Sequence, residues 1–101
     1  MFVPNKVQIF TINKKKSKFI SIIKPQDNVD SFRSWLSQIK KDYYSASHFC
    51  WSYRIYINDG IQESFSDEGE LRGTTGRFIM KVLKEANMVN CAIIVIRYFE
   101  V

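Results

Sequence analysis

Hydrophobic and polar positions alternate along several stretches of the chain, which is the pattern of β-strands. In all, five strands are predicted, over residues 7–12, 17–24, 49–57, 61–65 and 91–96. The alternation is cleanest in residues 49–57, whose odd-numbered side chains are all apolar or aromatic. Residues 91–96 are almost continuously apolar, and this predicts a central strand that is buried on both faces.

Two amphipathic helices are predicted between these strands. Apolar side chains recur at helical spacing in residues 28–41, and Asp27 can cap the first turn of that helix. A second helix is predicted over residues 75–86. The order β-β-α-β-β-α-β predicts an α/β (α+β) fold, a two-layer sandwich with a mixed, mostly antiparallel sheet and both helices on one face.

The composition is that of one folded domain covering residues 1–101, with 46% hydrophobic and 15% aromatic residues. Fifteen Lys and Arg against ten Asp and Glu give a net charge of +5, which favours anionic partners such as nucleic acid. No apolar run approaches the roughly 20 residues that span a membrane, so no membrane partner is expected. Two cysteines and one histidine give neither a disulfide scaffold nor zinc-ligand spacing, and neither a metal nor a cofactor is predicted.

The Gly-rich segment 66–77 leads into the second predicted helix and is a candidate anion site, because helix N-termini present unpaired backbone N–H groups. Its candidate anion-binding residues are Arg72, Gly73, Thr74, Thr75, Gly76 and Arg77. The alternative is that the glycines only turn the chain and allow close packing. We expect at least one of Gly69, Gly73 and Gly76 to have a positive φ or to lie where a Cβ would clash.

A run of lysines separates the first two predicted strands. Residues 13–16 are predicted to form a basic hairpin turn, and Lys14, Lys15, Lys16 and Lys18 lie in or beside it. Such a cluster is either a solvated loop or the tip of an anion-binding surface.

Ionisable residues also suggest a candidate cleft for catalysis. His48 is the single histidine of the chain and could act as a general base. The carboxylates of the Gly-rich segment could do acid–base work or be solvated. The candidate cleft residues are His48, Arg54, Asp67, Glu70 and Arg97. No nucleophile with an orienting group completes this set, so the sequence identifies no reaction and no catalytic residue.

Four motifs together resemble those of the YigZ/Impact family. They are KKSKFI at residues 15–20, HFCWSYR at 48–54, FSDEGE at 65–70 with GTTG at 73–76, and IVIRYF at 94–99. The resemblance implies an Impact N-terminal domain, whose fold resembles the second domain of a small-subunit ribosomal protein. It also implies that the family's last helix and its C-terminal ferredoxin-like domain are missing from this chain.

The function implied by the resemblance is a non-enzymatic binding module, since the family has no established catalytic residues. Bacterial members are cytoplasmic proteins with suggested nucleic-acid or ribosome association, and eukaryotic members regulate translation. The expected partners are therefore RNA, the ribosome or a translation-regulatory protein. The alternative is an enzyme that acts on a small molecule or peptide at the Gly-rich loop.

The missing last helix would leave apolar sheet surface exposed, including Tyr98 and Phe99. Soluble monomers rarely expose several hundred Å² of contiguous apolar surface. We therefore expect this C-terminal face to be covered, and a homo-oligomer is one way to cover it.

Overall fold

The computed structural model describes residues 3–68 and 75–99. Along the chain the elements are β1 (Gln8–Lys14), β2 (Ser17–Pro25), α1 (Val29–Asp42), β3 (His48–Ile57), β4 (Gly60–Glu68), α2 (Thr75–Glu85) and β5 (Cys91–Phe99). This order confirms the predicted sequence of strands and helices.

The strands form one five-stranded sheet in the order β1-β2-β5-β3-β4, and every strand pair described is antiparallel. β5 lies in the centre, with Ile94 and Ile96 fully buried. The α/β class with a mostly antiparallel sheet is confirmed.

The placement of the two helices differs from the expectation that both lie on one face. Phe32 of α1 packs against Tyr53, whereas Gly76 of α2 accepts a hydrogen bond from the neighbouring Ser52. Successive residues of a strand point to opposite faces, so the helices pack on opposite sides of the sheet. We call these two sides the α1 face and the α2 face.

The apolar run of β5 explains this arrangement, because each face of β5 needs its own cover. On the α1 face, Ala92, Ile94 and Ile96 belong to a core cluster that includes helix residues Phe32 and Ile39. On the α2 face, Cys91 and Ile93 belong to a second cluster. Helix α2 supplies Ile79 and Leu83 to that second cluster.

Helix α1 begins one residue later than predicted, and Asn28 rather than Asp27 is its N-cap. The backbone of Asn28 is extended, and its Oδ1 accepts a hydrogen bond of 2.7 Å from Ser31 N–H. Asp27 instead accepts a hydrogen bond from the Asn28 side chain. Asp27 therefore orients the capping residue.

Strand β4 is longer than the predicted 61–65, because pairing with β3 continues through the first part of the Gly-rich segment. Ser66, Asp67 and Glu68 lie opposite Trp51, Cys50 and Phe49. At the other end of β4, a tight hairpin turn connects it to β3. Its two central residues, Asn58 and Asp59, have φ values of 51° and 64°, as a tight hairpin requires.

Candidate functional site

Residues from distant motifs meet at one end of the α2 face. His48 of β3 lies directly opposite Arg97 of β5, and Arg97 lies opposite Phe19 of β2. In the next row, Ser17 lies opposite Phe99. Paired residues of antiparallel strands share a face, so these five side chains form one patch. We call it the Arg97 cluster, and it consists of Ser17, Phe19, His48, Arg97 and Phe99.

The guanidinium of Arg97 lies between two aromatic rings. Its Cζ atom is 4.4 Å from the ring centroid of Phe99 and 5.2 Å from that of Phe19. Its Nη2 donates a long hydrogen bond of 3.4 Å to Ser17 Oγ. Such cation–π contacts hold a planar, permanently charged group in a fixed orientation.

His48 completes the Arg97 cluster on the β3 side. Its ring meets Phe99 edge to face, with the centroids 5.6 Å apart. Its Nδ1 atom is buried and has no hydrogen-bond partner among residues 3–68 and 75–99.

The predicted basic turn lies beside this cluster. Lys14 pairs with Ser17 at the end of the β1–β2 hairpin, and Lys15 and Lys16 form the turn itself. All three lysines are exposed. Lys18 is half-buried and, paired with Tyr98, projects from the α1 face instead. Exposed positive charge therefore adjoins an aromatic surface at this edge of the α2 face.

Two hydrogen bonds hold the start of helix α2 against the sheet. The Asp67 carboxylate accepts a hydrogen bond from Gly76 N–H, and Ser52 Oγ donates one of 2.7 Å to Gly76 C=O. Asp67 therefore caps α2 from a neighbouring strand, as a carboxylate at a helix N-terminus does. The Gly76 N–H lies in the anion site that the sequence suggested, and it is already hydrogen-bonded to the Asp67 carboxylate.

Arg54 is separated from the rest of the candidate cleft. It lies six residues along β3 from His48, about 20 Å in an extended strand. Its Nε donates to Glu63 at 2.8 Å and its Nη1 donates to Met88 C=O at 2.9 Å. Arg54 is buried, and its hydrogen bond to Met88 links the segment that follows α2 to the sheet.

The other predicted site residues fall into two groups. Thr75 is half-buried and Arg77 is exposed, both in the first turn of α2. Glu70, Arg72, Gly73 and Thr74 lie outside the described residues, as does Gly69. Of the candidate cleft, the structure thus brings together His48 and Arg97, while Asp67 contacts the α2 N-terminus and Arg54 lies elsewhere.

Sequence reasoning missed Ser17, Phe19 and Phe99 as site residues. Alternation places Phe19 on one face of β2, but the contact with Arg97 depends on the register between β2 and β5. Tyr98 was expected to be exposed with Phe99. It is half-buried and packs against the core on the α1 face, whereas Phe99 is 53% exposed.

A separate concave surface of about 850 Å³ lies at the start of α1. Lys24, Gln26, Asp30 and Trp35 are among the residues that line it, and none of the sequence-predicted site residues that the structure describes does. In the part of the chain that the structure describes, no group of three or more metal-ligating side chains could hold a metal ion. Among the same residues, neither helix has the length and apolar character needed to cross a bilayer.

An antiparallel sheet with helices on opposite faces and a basic, aromatic patch at one end defines a small α/β domain. Residues 15–100 match the Impact N-terminal domain, and the chain belongs to that family. This confirms the resemblance inferred from the four motifs.

The curated relatives are bacterial proteins. The chain is 30% identical over 98 residues to an IMPACT family member of Haemophilus influenzae, covering 96% of this chain and 48% of that protein. It is 34% identical over 85 residues to IMPACT family member YvyE of Bacillus subtilis, covering 84% and 39%. It is 28% identical over 86 residues to YigZ of Escherichia coli, covering 84% and 42%. The chain therefore spans less than half the length of these relatives.

Two solved structures share the fold. The crystal structure of a hypothetical protein superposes with a TM-score of 0.88 at 26% identity, covering 96% of this chain and 48% of that one. The two-domain translational regulator Yih1 superposes with a TM-score of 0.74 at 17% identity, covering 98% of this chain and 40% of that one. The second similarity concerns the fold alone.

Proposed function

We propose that this domain is a binding module that acts in translation or its regulation, and that it contacts RNA through the basic turn and the Arg97 cluster. This role would place it in the cytoplasm. The observation that carries the proposal is the adjacency of exposed Lys14, Lys15 and Lys16 to the exposed ring of Phe99. The link to translation is proposed by analogy with the translational regulator Yih1, which shares the fold.

The chemistry of this surface suits single-stranded RNA. Lysine ammonium groups neutralise phosphates without reading sequence. Aromatic rings and arginine guanidinium planes stack with unpaired bases, whatever the base. Phe99 is 53% exposed, and the Arg97 guanidinium lies over its ring. This contact holds the ring in place while part of it stays accessible to a base.

The alternative enzymatic function lacks a comparable observation among residues 3–68 and 75–99. It requires a carboxylate within hydrogen-bond reach of His48. Among the described residues of the Gly-rich segment, Asp67 is the carboxylate that shares the α2 face with His48, and it bonds to Gly76 N–H. A binding role therefore explains more of the observed contacts than a catalytic one does.

Replacing the exposed ring tests the proposal. We expect Phe99→Leu to weaken binding of a fluorescently labelled single-stranded RNA of about 12 nucleotides by at least ~5-fold, because one stacked base contributes ~1–3 kcal/mol. The matched control is Tyr56→Leu, which replaces a ring of similar exposure, 48%, at the far end of the same face. Fluorescence anisotropy measures both affinities.

Two results would overturn the RNA assignment. One is equal loss of affinity in the Phe99 and Tyr56 variants, and the other is no RNA binding by the unaltered chain. Copurification with a tagged chain, with and without nuclease, then separates the partners. A protein that still copurifies after nuclease treatment would favour a translation-regulatory protein as the partner. Material that copurifies only without nuclease would favour RNA or the ribosome.

A further inference from the structure

Strand β1 is an edge strand that lacks the usual protection against pairing. It lies at one end of the sheet and pairs with β2 alone among the described strands. Gln8 is half-buried, and the other six residues of β1 are exposed. Three of those six are large and apolar: Ile9, Phe10 and Ile12 are 60%, 51% and 58% exposed.

The strand at the opposite edge of the sheet, β4, has the protection against strand pairing that β1 lacks. β4 carries the charged residues Glu63, Asp67 and Glu68. Glu68 forms an ion pair with Lys40, and Glu63 forms one with Arg54. Charged side chains discourage strand addition at an edge. β1 has no charged residue before its last position, Lys14.

The exposed apolar side chains of β1 project from both faces of the sheet. Ile9 lies opposite Ile22 on the α1 face, whereas Phe10 and Ile12 lie opposite Ser21 and Phe19 on the α2 face. A helix or loop laid on one face would cover only one of these groups. A strand added beside β1 would cover both and would also satisfy the outward backbone groups of the edge.

We propose that β1 pairs antiparallel with β1 of a second copy of this chain, about a two-fold axis at Thr11, to form one continuous ten-stranded sheet. An isologous contact of this kind joins identical surfaces and closes as a dimer. This proposal is independent of RNA binding.

The sequence of β1 is self-complementary in this register. Phe10 lies opposite Ile12 of the second copy, and the reverse pair lies on the other side of the axis, so four apolar side chains meet on the α2 face. Thr11 faces its own counterpart, a favourable pair of β-branched residues. Lys14 lies opposite Gln8 of the second copy, so the strand lysines do not meet.

A neighbouring register is less favourable. An axis at Phe10 would place Ile12 opposite Gln8 of the second copy and would leave Asn13 and Lys14 opposite residues that precede β1. The register about Thr11 pairs all seven residues of β1 and keeps Ile12 opposite an apolar side chain. The axis at Thr11 therefore follows from the order of side chains in β1.

The expected dimer is weak and depends on salt. One added strand pair buries less than the roughly 1,200–2,000 Å² of a stable interface, so dissociation in the micromolar range is expected. Each copy carries a net charge of +5, so screening of their repulsion by salt should strengthen association. RNA affinity should instead fall as the salt concentration rises. The salt dependence therefore distinguishes the two proposals.

Sedimentation velocity in RNA-free buffer tests the dimer. We expect the mass to rise from 11.9 kDa towards twice that value between about 1 and 100 μM, and to rise further with salt. Phe10→Lys should abolish the rise while leaving the circular dichroism spectrum unchanged. Tyr56→Lys is the matched control, since Tyr56 is 48% exposed and lies on β3, away from β1.

Disulfide cross-linking tests the position of the axis. Thr11→Cys places two thiols in directly opposed positions, with Cα atoms roughly 5 Å apart. Ile9→Cys places them four residues apart, roughly 13 Å. Both native cysteines are buried, so their contribution should be small. Preferential cross-linking of the Thr11 variant supports the proposal.

Three results would overturn it. The first is a monomer at about 100 μM in high salt. The second is a dimer that persists in Phe10→Lys, which would assign the contact to another surface, such as the one around Phe99. The third is cross-linking that is equal at positions 9 and 11.

Discussion

Gly76 lies so close to Ser66 that a Cβ atom on Gly76 would stand 2.7 Å from the Ser66 carbonyl oxygen. Helix α2 therefore begins directly against the backbone of β4. The expectation that one glycine of the Gly-rich segment lies where a Cβ would clash is confirmed at Gly76. The requirement there comes from close approach of two backbones, so any side chain at this position would displace α2.

Gly76→Ala should lower the free energy of unfolding by about 1–3 kcal/mol, the usual cost of forcing an extra methyl group into a packed site. The Ser66 backbone belongs to the β3–β4 ladder and cannot easily move away. Gly60→Ala is the matched control, since its Cβ would meet no atom closer than 3.9 Å. Urea titration measures both, and an equal effect of the two substitutions would contradict the packing argument.

Ser52→Ala should also destabilise the start of α2. Ser52 is fully buried, and its hydroxyl donates to the Gly76 carbonyl at 2.7 Å. Removing the hydroxyl leaves that carbonyl without this donor, at a cost of about 1–3 kcal/mol. Ser37→Ala, on the exposed side of α1, should change stability by less than about 0.5 kcal/mol. Thermal or urea unfolding measures the stability of both variants. Equal free energies of unfolding would show that the Ser52 hydrogen bond does not stabilise the protein.

The Cys91 thiol gives a prediction for alkaline pH. Burial raises the pKa of Cys91 from 9.0 to about 11, and the charge of Arg54 offsets part of this rise. The unfolded chain therefore loses this proton at a lower pH than the folded protein does. The stability linked to the thiol is fully present below pH 9 and is lost as the pH rises through about 11.

The matched control separates the effect of the Cys91 thiol from other effects of alkaline pH on the fold. We expect Cys91→Ala to be less stable than the unaltered chain near pH 8, and we expect this difference to shrink between pH 9 and 11. Urea titrations at several pH values measure it. A stability difference that does not vary with pH would argue against a raised pKa at this position.

Much of the fold could be predicted because local patterns carry it. The alternation of residues 49–57 identifies β3 and the side chains that share its face. The Asn58–Asp59 turn then determines the pairing of β3 with β4. Helix α1 follows in the same way from its apolar stripe, although the choice between Asp27 and Asn28 as cap depends on the backbone conformation of Asn28.

The placement of the helices on opposite faces of the sheet is implicit in the sequence of β5. A strand that is apolar at six successive positions needs cover on both faces, and this argues against helices on one face only. The Arg97 cluster could not be predicted in the same way. Phe19 and Arg97 meet because β2 and β5 pair across more than 70 residues of chain, and no local pattern determines that register.

The salt dependence of RNA affinity tests the central proposal most directly. Three lysines that contact phosphates predict a slope of about −2 to −3 in a plot of log K against log salt concentration. Replacing Lys14, Lys15 and Lys16 with Gln should bring the slope close to zero and weaken binding. A control variant with Gln at Lys6, Lys41 and Lys81 has the same net charge and should keep most of the slope. Equal slopes in the two variants, or RNA binding that does not respond to salt, would contradict the assignment of the basic turn.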